Sequence, residues 1–128
     1  MGDEFFKMDE FYHLEYLQVN AGINLIPTAT VQIKVKDEIV LESATGDGPI
    51  DAILNAIDKA LKIKPKIEDY HVRSVTAGKE SMGEVTIRIR SMNKSFIGKG
   101  VSTDIIEASA KAYMQAINYL HKQKILNL

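Results

Sequence analysis

Cysteine is missing altogether from the 128 residues. That absence excludes disulfides, thiol nucleophiles and zinc–thiolate sites, and it fits a cytoplasmic address. An excess of one charge is missing too: 16 Lys+Arg stand against 17 Asp+Glu, a formal net charge of −1. No acidic or basic tail is present, and nothing in this balance steers nucleic acid from a distance. No run approaches the roughly 18 consecutive apolar residues of a membrane span, and no signal-peptide pattern is seen. His13, His71 and His121 are scattered, outside any metal-ligand spacing, and read as structural. No serine stands in a nucleophile elbow. A complete enzyme active site is therefore not expected here. The length suits one domain, or two small units sharing one core.

What is present is a repeat. Slid against itself by 56 positions without gaps, the chain superposes Val19, Ala21 and Gly22 on Val75, Ala77 and Gly78. Thr30 and Ile33 fall on Thr86 and Ile89, and Ile50, Ala52, Ala56 and Ala60 fall on Ile106, Ala108, Ala112 and Ala116. The constant register over residues 19–61 marks a tandem duplication.

In each half, VQIKV and TIRIR alternate apolar and polar residues, the period of a strand with one buried face. Val31, Ile33 and Val35, and Val85, Ile87 and Ile89, are predicted to point inward. HLEYLQV and YHVRSV precede them as strands. EIVLES and SFIGKG follow through short turns at Lys36-Asp37 and Met92-Asn93. Each half closes with a helix: PIDAILNAIDKAL carries the stripe Ile50, Ile53, Ile57 and Leu61, and DIIEASAKAYMQAINYL carries Ile106, Tyr113, Ile117 and Leu120. Beside each stripe a row of alanines permits close approach of another backbone.

The expected fold is thus α+β, a duplicated β-β-β-α unit with antiparallel strands and helices on one side. Repeat 1 is expected over about 12–62, a linker over 62–66 and repeat 2 over about 67–124. These lie within a domain over 11–128, with 1–10 a frayed segment or linker remnant.

The stretch ATGDGPIDA, Ala44–Ala52, joins strand to helix in the first half. Pro49 suits the first helical turn, Asp47 or Gly48 the N-cap, and Asp51 the positive end of the helix dipole. The equivalent GVSTDIIEA offers Ser102, Thr103 or Asp104 as caps, with Asp104 and Glu107 at capping-box spacing. A cap needs one residue, so two glycines around Asp47 also suit the close approach of a ligand to a helix N-terminus. No Gly-Lys-Ser/Thr or G-x-G-x-x-G is present, and Asp47 with Asp51 lacks a third metal ligand nearby in sequence.

Three stretches together resemble the C-terminal regulatory domain of the 2-isopropylmalate synthase family, often called the allosteric dimer domain. They are ATGDGPIDA, YHVRSVTAGKESMGEVTIRIR and GKGVSTDIIEASAKAYMQAINYL, spread from about Tyr12 to Leu120. The resemblance implies a homodimeric domain that binds L-leucine near the dimer interface for feedback inhibition. It also implies a parent acyltransferase that condenses acetyl-CoA with 2-oxoisovalerate on a metal-dependent TIM barrel absent from this chain. No cofactor is expected in the domain itself, the divalent metal belonging to that barrel. A cousin family, citramalate synthase, uses the same domain to sense isoleucine.

Carried over by position, the implied effector site comprises Gly46, Asp47, Gly48, Ile50 and Asp51, then Ile67, Tyr70, Ser74 and Ser81, and finally Ile105. The isoleucines would form an apolar wall, helix N–H groups would hold the carboxylate, and Asp47 or carbonyls would hold the ammonium. Two other readings compete. A double-stranded-RNA-binding domain is superficially similar, but it needs lysines where Asp104 and Glu107 stand. A purely structural dimerisation module would show broken glycine motifs. Neither nucleic acid nor membrane is an expected partner.

Overall fold

A computed structural model describes residues 10–126, so the expectation of fraying before Glu10 lies outside the described residues. The order is β1 (Tyr12–Asn20), β2 (Thr28–Val35), β3 (Glu38–Thr45), α1 (Pro49–Leu61), β4 (Lys66–Ala77), β5 (Glu80–Ser91), β6 (Lys94–Ser102) and α2 (Ile105–Leu126). The strands form two antiparallel sheets, β1-β2-β3 and β4-β5-β6, giving the α+β duplication expected from the repeat. Ala29, Val31 and Ile33 on β2, and Val85, Ile87 and Ile89 on β5, are fully buried beneath the helices. Val35, the outermost of the predicted inward residues, is only partly buried.

Local chemistry sets the element ends. Pro49 opens α1, and Lys62 closes it in the left-handed region (φ 56°), its N–H bonded to the Asp58 carbonyl. The Lys36-Asp37 and Met92-Asn93 connections are two-residue turns, with φ of 58° at Lys36, 54° at Met92 and 61° at Asn93.

The duplication is not carried into the first hairpin of each repeat. Tyr16 pairs with Gln32, but Val72, 56 positions on, pairs with Val85 rather than with Arg88. The slip is three residues, 88 against 85, and an odd slip turns a strand over. Val19 therefore packs on the core, while its equivalent Val75 lies on the other face, opposite Met82. The cause is the connection: residues 21–27 join β1 to β2, whereas only Gly78 (φ 66°) and Lys79 join β4 to β5. The shorter turn draws β4 along β5.

The alanine rows act as the sequence suggested, and the backbone that approaches belongs to the chain's own strand. A methyl group at Gly98 would collide with the Ala112 carbonyl and stand 2.6 Å from the Ala116 nitrogen. One at Gly100 would collide with the Ala108 carbonyl. Helix α2 thus rests directly on the β6 backbone. Replacing Gly98 with alanine is expected to cost about 2–3 kcal/mol in chemical denaturation, because neither backbone can yield without losing other contacts.

Three polar links join the repeats, the longest being Tyr12 Oη to His121 Nδ1 at 3.4 Å. Asn118 on α2 accepts the N–H groups of Phe11 (3.0 Å) and Tyr12 (2.8 Å) and donates to the Tyr12 carbonyl (3.0 Å). Buried Tyr113 donates its hydroxyl to Asp58 on α1 at 2.5 Å. Burial pushes the Asp58 carboxyl up to about 6, outweighing the Tyr113 hydrogen bond and Lys64, which pull it down. The same burial, with Asp58 alongside, raises the Tyr113 hydroxyl well above its ordinary value.

Because the folded carboxyl binds its proton more tightly, its contribution is fully present below 3.8 and is lost as pH climbs to about 6. Asp58→Asn keeps an acceptor for Tyr113 and removes that loss. The variant's melting temperature relative to the parent is expected to rise across this window and level off above it.

Candidate functional site

The strand–helix turn of repeat 1 is braced from within. The Asp51 carboxylate accepts the Asp47 N–H (2.9 Å), and Asn55 donates to the Thr45 carbonyl (3.0 Å). Gly48 is the N-cap, extended at φ −156°, and no side chain caps the helix. With Pro49 lacking an N–H and the Ala52 N–H bonded to the Gly48 carbonyl (3.0 Å), the Ile50 and Asp51 N–H groups are left, among the described residues, without a side-chain acceptor. The two glycines do different jobs. A methyl at Gly46 would collide with the Ala52 nitrogen and stand 2.7 Å from the Asp51 carbonyl carbon, so the close approach there is by α1 itself. Nothing lies within 4 Å of a methyl at Gly48, which leaves that side of the turn open. Ile50 is partly buried and packs against the core.

The equivalent turn in repeat 2 is closed by side chains. Asp104 accepts the Ile106 N–H (2.9 Å). The capping box expected between Asp104 and Glu107 is not direct: the buried Ser102 hydroxyl accepts the Asp104 N–H (3.1 Å) and donates to Glu107 (2.8 Å). Serine stands where repeat 1 has Gly46, and it supplies the hydroxyl that relays the box. This bond, with Lys111 at 3.2 Å, holds the Glu107 carboxyl below its usual range.

The remaining predicted residues fall on repeat 2. Ser74, Ser81 and Ile105 line one open hollow of about 270 Å³, together with Val72, Met82 and Gly83. The tip of the Ile105 side chain lies directly over the Gly83 backbone, where a methyl would push it aside. Ile67 and Tyr70 lie farther along β4 on the same face, outside that hollow. Ser109 donates to the Ile105 carbonyl (2.8 Å), so the Tyr70 hydroxyl is the donor in its 2.7 Å bond to Ser109. Ser109 and Asn55 were missed in the sequence because a helix interior gives no sign of which polar residues serve another strand.

Among the described residues, no Cα of β3 or α1, the elements that flank Gly46, Asp47 and Gly48, lies within 8 Å of a Cα of β4 or β5. One chain therefore holds Ile50 and Asp51 of α1 apart from Ile67, Tyr70, Ser74 and Ser81. A larger groove, about 840 Å³, runs between β1, β6 and α2 and is lined by Tyr12, Leu17, Lys99, Glu107 and Lys111 among others. It holds none of the predicted residues, since it arises only where one repeat's edge strand meets the other's helix. No group of three or more His, Asp or Glu able to hold a metal is found among the described residues. No described helix is long and apolar enough to cross a membrane.

A family model described as the LeuA allosteric (dimerisation) domain matches residues 1–121. The chain belongs to this family. A 2-isopropylmalate synthase of Ruminiclostridium cellulolyticum is 47% identical over 116 residues, 91% of this chain and 23% of the relative. One of Carboxydothermus hydrogenoformans is 45% identical, covering 94% of this chain and 24% of the relative. For a Thermus thermophilus 2-isopropylmalate synthase the identity is 44%, over 86% and 33%. The chain thus spans about a quarter to a third of the length of these curated relatives. As a LeuA allosteric domain, it is a regulatory and dimerising unit.

The two glycines of the turn are separable by experiment. Gly46→Ala is expected to lower stability by about 1–3 kcal/mol through overpacking. Gly48→Ala should leave it unchanged or raise it by about 0.5 kcal/mol, the extended backbone accepting alanine freely. Paired urea melts check both.

Proposed function

We propose that this chain is the effector-sensing part of a 2-isopropylmalate synthase, binding L-leucine between two copies of itself for feedback inhibition. The observation that carries this reading is the family match together with the turn at Gly48. That turn offers an uncapped helix start, open space and a nearby carboxylate in one place. The leucine carboxylate docks at the first-turn N–H groups of α1, where the helix dipole favours an anion. Asp47, exposed at the same turn, takes the ammonium. The branched side chain lies against Ile50 of one copy and Ile67, Tyr70 and Ile105 of the other, with Ser74 and Ser81 at the rim.

The separation of the two residue groups within one chain supports a site shared by two chains. The catalytic step, joining acetyl-CoA to 2-oxoisovalerate, belongs to a metal-dependent barrel elsewhere in the parent protein. The sensing domain itself uses no cofactor, and it works in the cytoplasm. The names of the relatives favour leucine over isoleucine. The two amino acids differ only in where one methyl branches, so discrimination is limited to about 1–3 kcal/mol.

Calorimetry on this chain tests the reading. Leucine is expected to bind at least about tenfold more tightly than isoleucine, a difference near 1.4 kcal/mol. Gly48→Asp, which meets no steric obstacle, should remain folded by circular dichroism while losing leucine binding. Tighter isoleucine binding would turn the assignment toward citramalate synthase, and unchanged leucine affinity in Gly48→Asp would remove the turn from the site.

A further inference from the structure

The groove of about 840 Å³ between β1, β6 and α2 has a sheet-edge strand for each wall and a helix for its floor. Part of each edge is already served from that floor. Asn118 of α2 bonds the Phe11 and Tyr12 N–H groups where β1 begins, and Gln115 accepts the Lys99 N–H on β6 at 2.8 Å. These side chains stand where an added strand would bond, so the groove is not built for an extended peptide. Its size falls within the roughly 300–1,000 Å³ of small-molecule pockets.

The duplication identifies what meets here. Leu14, Leu17 and Val19 pair with Ile33, Val31 and Ala29, and Ile67, Tyr70 and Val72 pair with Ile89, Ile87 and Val85, the same β2 positions 56 residues on. The inner residues of β1 thus match Ile67, Tyr70 and Val72 of β4, which remain 41%, 37% and 47% exposed. On the far side of the groove, Asp104, Ile106 and Glu107 stand 56 residues after Gly48, Ile50 and Asp51. The two walls assigned above to leucine, a β4 and the start of an α1 from different chains, therefore have a counterpart within a single chain.

The chemistry differs at the anion end. Asp104 caps α2 by accepting the Ile106 N–H, so that helix start is closed to a ligand's carboxylate. Of the other charged residues lining the groove, Glu10 faces His13 (3.3 Å) and Glu107 faces Lys111 (3.2 Å). Lys99 on β6 and Glu15 on β1 are left, and among the described residues neither forms an ion pair. Glu15 is a bulged residue, passed over in the pairing between Leu14 and Tyr16. The matching bulge on β4 is Glu68, which is tied to Ser95 (2.7 Å) and Arg90 (3.4 Å). One bulge thus fastens its carboxylate to the sheet, and the other leaves it at the groove. A free ammonium and a free carboxylate on facing walls, beside Leu17, Ile106 and Met114, suit a zwitterion with a hydrocarbon arm.

We propose that this groove is a second, intrachain site for an aliphatic amino acid, whose carboxylate meets Lys99 and whose ammonium meets Glu15. The proposal rests on the effector reading above for its ligand class, and it adds a site that needs no second chain.

Amide NMR spectra of this chain read the two sites separately, with L-leucine as the probe. Leucine is expected to shift the Lys99, Gly100 and Lys111 amides with a Kd near about 1 mM. Those shifts should persist in Gly48→Asp. Lys99→Glu and Glu15→Lys, both at exposed positions, should each weaken the groove titration at least about tenfold while the amides of Gly46–Asp51 still respond. Isocaproate, which keeps leucine's carboxylate and side chain but lacks the ammonium, should bind the groove at least about tenfold more weakly than leucine. No groove shifts at about 10 mM leucine, an undiminished titration in either charge variant, or equal affinity for isocaproate would each overturn the proposal. A silent Gly46–Asp51 turn beside a responding groove would instead overturn the effector assignment and leave this site standing.

Discussion

The seat of α2 on the bare backbone of β6 governs the shape of the second repeat. Gly98 and Gly100 have no side chains to hold the helix off, and Ala108, Ala112 and Ala116 add almost nothing to its thickness. In the first repeat the corresponding strand positions are Glu42 and Ala44, so α1 meets Cβ atoms along its length. Its tight contact is instead at its first turn, where Gly46 lies under Ala52 and Asp51. The same fold therefore has its point of closest approach at the helix start in one copy and along the helix body in the other. From this follow the exposed inner face of β4 and the open start of α1.

The halves are coupled through few polar groups, and these are costly ones. Asp58 and Tyr113 bridge the two helices in a site dry enough to raise both groups. A buried hydroxyl without its acceptor loses the full hydrogen-bonding free energy of that group, so the pair fixes how the helices cross even where it adds little net stability. Asn118 does the same at the other end by giving β1 an acceptor and a donor, much as a neighbouring strand would. These contacts link one repeat to the other, whereas the alanine row of α2 is taken up by its own repeat's strand β6.

Much of the fold was legible because its signals are local. Alternation in VQIKV and TIRIR, the helical stripes and the self-match at 56 positions need no knowledge of distant partners. The three-residue slip of β4 was not legible in the ungapped match, although the cue was present. A connection of seven residues in one copy faces one of two in the other, and loop length sets hairpin register. For the candidate site, the turn around Gly48 and the cluster Ser74, Ser81 and Ile105 could be named from a resemblance, but their separation in one chain could not. Motif order records which residues a family keeps, not which chain brings them together. Asn55, which bonds the Thr45 carbonyl, and Ser109 beneath Tyr70 escaped notice because each serves a strand outside its own helix.

The asymmetry between the copies also fixes how sensing and assembly must be linked on the proposed reading. Repeat 2 satisfies its own helix start with Ser102, Asp104 and Glu107, leaving little for a ligand to gain there. Repeat 1 leaves its start to an outside anion, while the apolar residues meant to hold that ligand's side chain lie on repeat 2 of another chain. A ligand that touches both chains binds the dimer and not the monomer, so whatever free energy it gains from the second chain appears equally as tighter dimerisation. Coupling of this kind needs no pathway through the core. It needs only a dimer whose two chains can shift against each other where the ligand touches both.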